Sequence, residues 1–159
     1  MTETDDRPAD RAVLATVAVL AILVIVATFS RTGSAATDQR LAQEFPVGAV
    51  SWLEVERPPH ELFNTFDWGG YLMWQAPDYP VSIDGRTDVY DEYLEVYDAT
   101  VRARPGWQEE LDREGIGTVL VDPGLPLTAA LRAEPGWSVG YEDDVAVVFT
   151  RAGPVPERR

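Results

Sequence analysis

The chain has 159 residues, enough for one modest hydrophobic core, and a net charge of −14 with arginine as its only basic side chain. That balance excludes a duplex nucleic-acid binder, which needs a basic footprint to displace counterions, and it opposes flat docking of the body on anionic lipid. The absence of cysteine excludes disulfides, thiol catalysis and cysteine-ligated zinc, and the acidity reads as a solvated, self-repelling surface rather than one shaped for a cationic partner.

Residues 12–29, "AVLATVAVLAILVIVATF", are uncharged and apolar on every face. At about 1.5 Å per residue such a helix nearly matches a hydrocarbon core of about 30 Å. A transmembrane helix over 12–30 is therefore expected, with the lipid bilayer as partner through 12–29. A cleaved signal peptide competes, since "GSAA" at 33–36 offers small residues. Arg31 intervenes, however, and the run exceeds the usual apolar stretch of about 7 to 15 residues. Arginines flank the span almost evenly, Arg7 and Arg11 before it and Arg31 and Arg40 after. The short tail of 1–11 is the easier part to leave in the cytoplasm. The expected product is a single-pass cell-membrane protein, with a linker at 31–37 and its domain of 38–151 outside the cytoplasm.

Beyond the linker, "TDQRLAQEF" reads as a short helix capped by Thr37 or Asp38. In "PVGAVSWLEVERPP", Val47, Val50 and Leu53 recur at helical spacing and Pro58-Pro59 stop the element. "ELFNTF" predicts a short strand, "WGGYLMWQ" a helix entered through Asp67, and "YPVSID" a second strand ended at Asp84-Gly85. "VYDEYLEVYDATVRA" is amphipathic, with Tyr90, Tyr93, Leu94, Tyr97 and Val101 on one stripe. "PGWQEELDRE" is a short helix between Pro105 and Gly115, and "IGTVLVD" is a strand covered on both faces. "LPLTAALRAE" gives another helix. "WSVGYE" and "VAVVFTR" flank Asp143-Asp144 as an antiparallel hairpin, and 152–159 is a disordered tail. Helices alternating with strands predict an α/β domain of two or three layers, with a mainly parallel sheet of about five strands and an antiparallel C-terminal edge.

Two βα turns hold most of the unusual chemistry. The first contains Asn64, Asp67, Trp68, Gly69, Gly70 and Tyr71; the second contains Asp84, Gly85, Arg86, Thr87 and Asp88. Parallel neighbouring strands would bring both turns to the carboxyl edge of the sheet, where open α/β folds bind ligands. Asp67 is positioned to cap the following helix. The glycine pair costs helix stability but permits close backbone approach to a neighbour or a ligand. Arg86 pairs with Asp67, Asp84 or Asp88, or holds a phosphate or carboxylate while an aspartate orients a sugar hydroxyl. Asp67, Asp84 and Asp88 also suit a hard cation such as Mg²⁺ or Ca²⁺, although their spacing matches no standard calcium loop, and neither a metal nor any other cofactor is expected. His60 reads as a surface turn residue, the tryptophans and tyrosines as core, and no nucleophile–base pair is visible.

The segments "LFNTFDWGGYLMWQAPDYPVSIDGRTDVYDEYL", "WQEELDREGIGTVLVD" and "WSVGYEDDVAVVFTR" together resemble the C-terminal soluble domain of bacterial and archaeal multispanning proteins. Those proteins are similar to polyprenyl-phosphate-sugar-dependent glycosyltransferases of the GT-C type. The resemblance covers residues 40–151, and its most specific part pairs "N..DWGGYL.W" with "IDGRTD.Y". It implies a domain outside the membrane, directly after a span. There is a looser similarity to the catalytic subunit of oligosaccharyltransferase, whose Trp-Trp-Asp-Tyr-Gly turn contacts acceptor peptide; here the order is Asp67-Trp68-Gly69-Gly70-Tyr71. Such transferases keep their catalytic carboxylate in an early loop between many spans, a part this chain lacks. The resemblance thus implies an accessory module that binds a glycan, an acceptor or a multispanning partner and does not catalyse alone. A purely structural domain and a fragment of a larger transferase are the alternatives.

Overall fold

The computed structural model describes residues 17, 19–22, 37–86 and 91–158, with 91 and 92 defined through their backbone. The tail of 1–11, most of the expected span and the linker through residue 36 lie outside these residues. Within the span, residues 17 and 19–22 are helical and exposed. No helix of the described residues is long and apolar enough to cross a membrane. The chain divides into two compact units, Met1–Leu41 and Ala42–Arg159, of which the second carries the sheet.

Residues 37–44 are helical. Helix α1 follows at Val47–Glu56, burying Ala49, Val50 and Leu53 and leaving Glu54 and Glu56 in water. It stops at Arg57, which turns left-handed (φ 47°) and returns its N–H to the Leu53 carbonyl before the two prolines. Strand β1 is Leu62–Asn64, and helix α2 is Gly69–Gln75. Helix α3, Asp91–Val101, presents its expected stripe from Tyr93 through Val101, while Tyr90 lies outside the described residues. Helix α4, Trp107–Arg113, begins one residue after Gly106, whose φ of 100° makes the entry, and ends before Gly115 at φ 67°. Strand β2, Thr118–Val121, is buried throughout, as a continuous apolar run requires. Helix α5, Pro126–Ala133, starts on its proline. Strands β3, Trp137–Glu142, and β4, Val147–Arg151, form the expected hairpin.

Among the described residues the sheet has four strands in the order β1-β2-β4-β3. Only β1 and β2 run parallel, with Phe63 opposite Val119; β4 pairs antiparallel with both β2 and β3. The fold is α/β, as expected, but the sheet is mixed and not a mainly parallel one of five strands. The missing strand is "YPVSID": among the described residues its ladder pairing is a single parallel bridge from Val81 to Leu62. Pro80 has no N–H to give, and the polar groups of Ser82 are taken up by the side chain of Asn64, so pairing ends after one residue.

Alternation along the strands divides the core in two. Phe63, Val119 and Phe149 face α3, α4 and α5 through a cluster that includes Val101, Leu111 and Leu131. Leu62, Leu120 and Val148 face α1 and α2 through Leu53, Trp68 and Leu72. Three layers result, helix–sheet–helix. The hairpin bulges between Val139 and Tyr141, and Gly140 there lies directly under the Trp52 ring, where a β-carbon would come within 2.7 Å.

Candidate functional site

β1 ends at Asn64, a fully buried amide that joins the two polar turns. Its Oδ1 accepts from the Ser82 N–H at 2.9 Å, and its Nδ2 donates to the Ile83 carbonyl at 2.9 Å and to the Thr65 carbonyl at 3.0 Å. A side chain here does the work of a strand ladder, pinning 82–83 to the carboxyl end of β1. The turn after β2 joins the same edge, because the Asp122 N–H donates to Thr65 Oγ1 at 3.2 Å.

After Asn64 the chain makes a 3-10 turn over Phe66–Trp68 before α2 begins. The turn is held from α3, since the Phe66 N–H donates to the Tyr97 hydroxyl at 2.7 Å. Burial pushes the Tyr97 hydroxyl up to about 12, with the bond from Phe66 N–H opposing the shift. Asp67 does not cap α2. The extra 3-10 turn moves the N-cap position to Trp68 and leaves the Asp67 carboxylate exposed. Trp68 is core, its indole N–H reaching the Glu44 carbonyl at 3.2 Å. Tyr71 stacks on Phe45 at 4.9 Å, and burial raises its pKa.

The glycine pair has two separate roles. A β-carbon on Gly69 would lie 2.2 Å from the Ile83 carbonyl oxygen and 2.6 Å from the Asp84 α-carbon, so only glycine lets the turns touch. Gly70 meets nothing within 4 Å and is exposed.

In the second turn Asp84 is buried, and its carboxylate accepts from three donors of Arg86: Nε at 2.9 and 3.1 Å to the two oxygens, an Nη at 2.6 Å and the backbone N–H at 3.0 Å. Of the three aspartates expected as partners of Arg86, Asp84 forms the ion pair. The pair is strongly asymmetric, with side-chain exposure of 63% for Arg86 and 4% for Asp84. Thr87 and Asp88 lie outside the described residues. No three histidine, aspartate or glutamate side chains among the described residues come together as a metal site.

Two residues outside the expected site set belong to this edge. Trp74 is 75% exposed and Met73 50% exposed, on the outer side of α2. With Gly70, Asp84, Gly85 and Arg86 they line an open hollow of about 520 Å³. The expectation that the tryptophans are core fails at Trp74 because α2 is seven residues long and buries only Gly69 and Leu72. The available signal was the apolar excess of "YLMW": four apolar residues in succession cannot all face the core of a helix. The hollow therefore combines an exposed ring, a thioether, an exposed guanidinium and a glycine-lined backbone. Comparison of the chain with protein-family profiles, with curated proteins and with solved structures gave no match.

Proposed function

We propose that this chain is a glycosyltransferase-like accessory module that is anchored in the cell membrane by residues 12–29 and exposes its α/β domain outside the cytoplasm. In this reading the two polar turns bind a glycan, an acceptor or a multispanning partner, and the chain does not catalyse alone. The observation that carries it is the hollow where Trp74 and Met73 meet the Asp84–Arg86 pair. Folding leaves a large aromatic ring in water beside a fixed guanidinium, a cost to solubility that a binding surface explains. The ring offers an apolar face for stacking, and the guanidinium offers a positive charge held in place by the buried carboxylate. The apolar run of 12–29 supports the anchor.

A structural reading has its own support. Asn64, Gly69 and Asp84 are all spent on contacts within the domain. Trp74→Ala and Arg86→Ala in the full chain, held in detergent micelles, separate the two. Binding to an immobilised oligosaccharide panel, or co-purification of a multispanning protein, should be lost in both variants while their melting stays close to wild type. Undiminished binding in both would overturn the binding reading. A large fall in melting temperature for Arg86→Ala, with Trp74→Ala unchanged in every assay, would favour the structural one.

A further inference from the structure

Residues 152–158 have no regular secondary structure, yet they are seated on the domain. The strap crosses two glycines. A β-carbon on Gly115 would stand 2.9 Å from the Pro156 carbonyl oxygen and 3.3 Å from the Arg158 nitrogen, and one on Gly117 would stand 2.8 Å from Val155. Gly117 is held between the strap and Pro59, whose ring a β-carbon at 117 would also strike. The crossing ends with an Arg158 Nη on Glu114 Oε2 at 2.7 Å. Arg158 and Glu114 both line a cleft of about 410 Å³ beside β1, whose walls include His60, Glu61, Tyr93 and Ile116. The His60 ring, exposed as expected, stacks on Tyr79 at 5.0 Å at the same end of the domain.

We propose that this groove and cleft form a binding site for an extended peptide segment bearing an arginine, and that residues 155–158 fill it in cis. Pro154 and Pro156 stiffen the strap before it docks, so little chain entropy is lost on seating. The two glycines give a backbone path without side-chain obstruction. The carboxylates of Glu61 and Glu114 select a cationic side chain, and Glu114 also lies 3.5 Å from Arg113 Nε. The arginine of the anchoring pair is open to water, with side-chain exposure of 76% for Arg158 against 21% for Glu114, so the strap is held by local concentration more than by the strength of the ion pair. An arginine-bearing segment from another chain therefore competes for the place that Arg158 holds.

A fluorescent synthetic peptide of the sequence AGPVPERR, titrated by anisotropy against the full chain in detergent, tests this. The wild-type chain should bind it weakly. The R158E chain, whose strap is repelled by Glu114 while the site stays intact, should bind it roughly tenfold more tightly or better. The E114R/R158E double variant should lose that gain, because its strap closes again and its site repels the peptide's arginines. A circular dichroism melt at wild-type temperature is expected for R158E, since the exchanged arginine is mostly in water. Equal binding by wild type and R158E, no binding by either, or a double variant that binds like R158E would each overturn the proposal.

Discussion

At Asn64 one amide carries what a further strand would otherwise carry, and the consequence is measurable. Asn64→Asp keeps the acceptor of Ser82 but removes the donor to the Ile83 and Thr65 carbonyls and brings a carboxylate against them in a buried site. A loss of about 3 kcal/mol or more is expected in denaturant unfolding, and a loss below about 1 kcal/mol would show that the amide is not the joint between the turns. The glycine pair gives a sharper contrast. Gly69→Ala forces a β-carbon onto the backbone at Ile83 and Asp84 and should cost about 3 kcal/mol. Gly70→Ala adds a methyl group in open space within α2 and should stabilise by up to about 1 kcal/mol through helix propensity. Thermal melts of the two alanine variants should therefore move in opposite directions.

Among the elements, the β3–β4 hairpin depends on its turn. Asp143 Oδ1 accepts from the Val145 and Ala146 N–H groups at 2.9 and 2.8 Å, and Oδ2 accepts from the Tyr141 hydroxyl at 2.7 Å. Burial alone would raise the Asp143 pKa, but the hydroxyl and the two N–H groups outweigh it and hold the carboxyl below 3.8. The stabilisation is present above the ordinary aspartate range and is lost as pH falls through it towards the lowered folded value. Asp143→Ala should cost about 1–2 kcal/mol at neutral pH and flatten the acid limb of the stability curve; an unchanged acid limb would remove Asp143 from the account. This hairpin was legible in the sequence because two apolar runs flank an Asp-Asp turn, and β2 because four apolar-compatible residues in succession suit a doubly covered strand. The strand order was not. Nothing local tells β4 to enter between β2 and β3, and nothing in "YPVSID" shows that a side chain from β1 would take its ladder bonds. The pairing of the two turns was legible through Gly69, whereas the exposed face at Trp74 was hidden by a helix too short to show a period.

For the whole molecule, three tyrosines tie the layers to the pH of the medium. Tyr93, Tyr97 and Tyr141 are each pushed up to about 12, with burial as the leading cause, helped at Tyr93 by Glu114 and Glu110 and at Tyr141 by Asp143. Their folded pKa values exceed the unfolded value of 10.0, so the stability they lend is complete below pH 10 and is lost as pH rises from there towards 12. Alkaline unfolding by circular dichroism should coincide with the rise of tyrosinate absorbance. Complete ionisation near pH 10 with the fold intact would contradict the burial of these hydroxyls.

The position of β4 has a consequence for synthesis. It is the last of the four described strands in sequence order but lies inside the sheet, between β2 and β3. A ribosome that has released everything up to α5 has produced a sheet with the apolar edge of β2 still open, and only residues 147–151 can close it. The domain cannot complete its sheet while its first helices emerge and must wait for its final strand. During that wait the nascent chain needs either fast elongation or a holding chaperone to keep β2 from pairing with a neighbour.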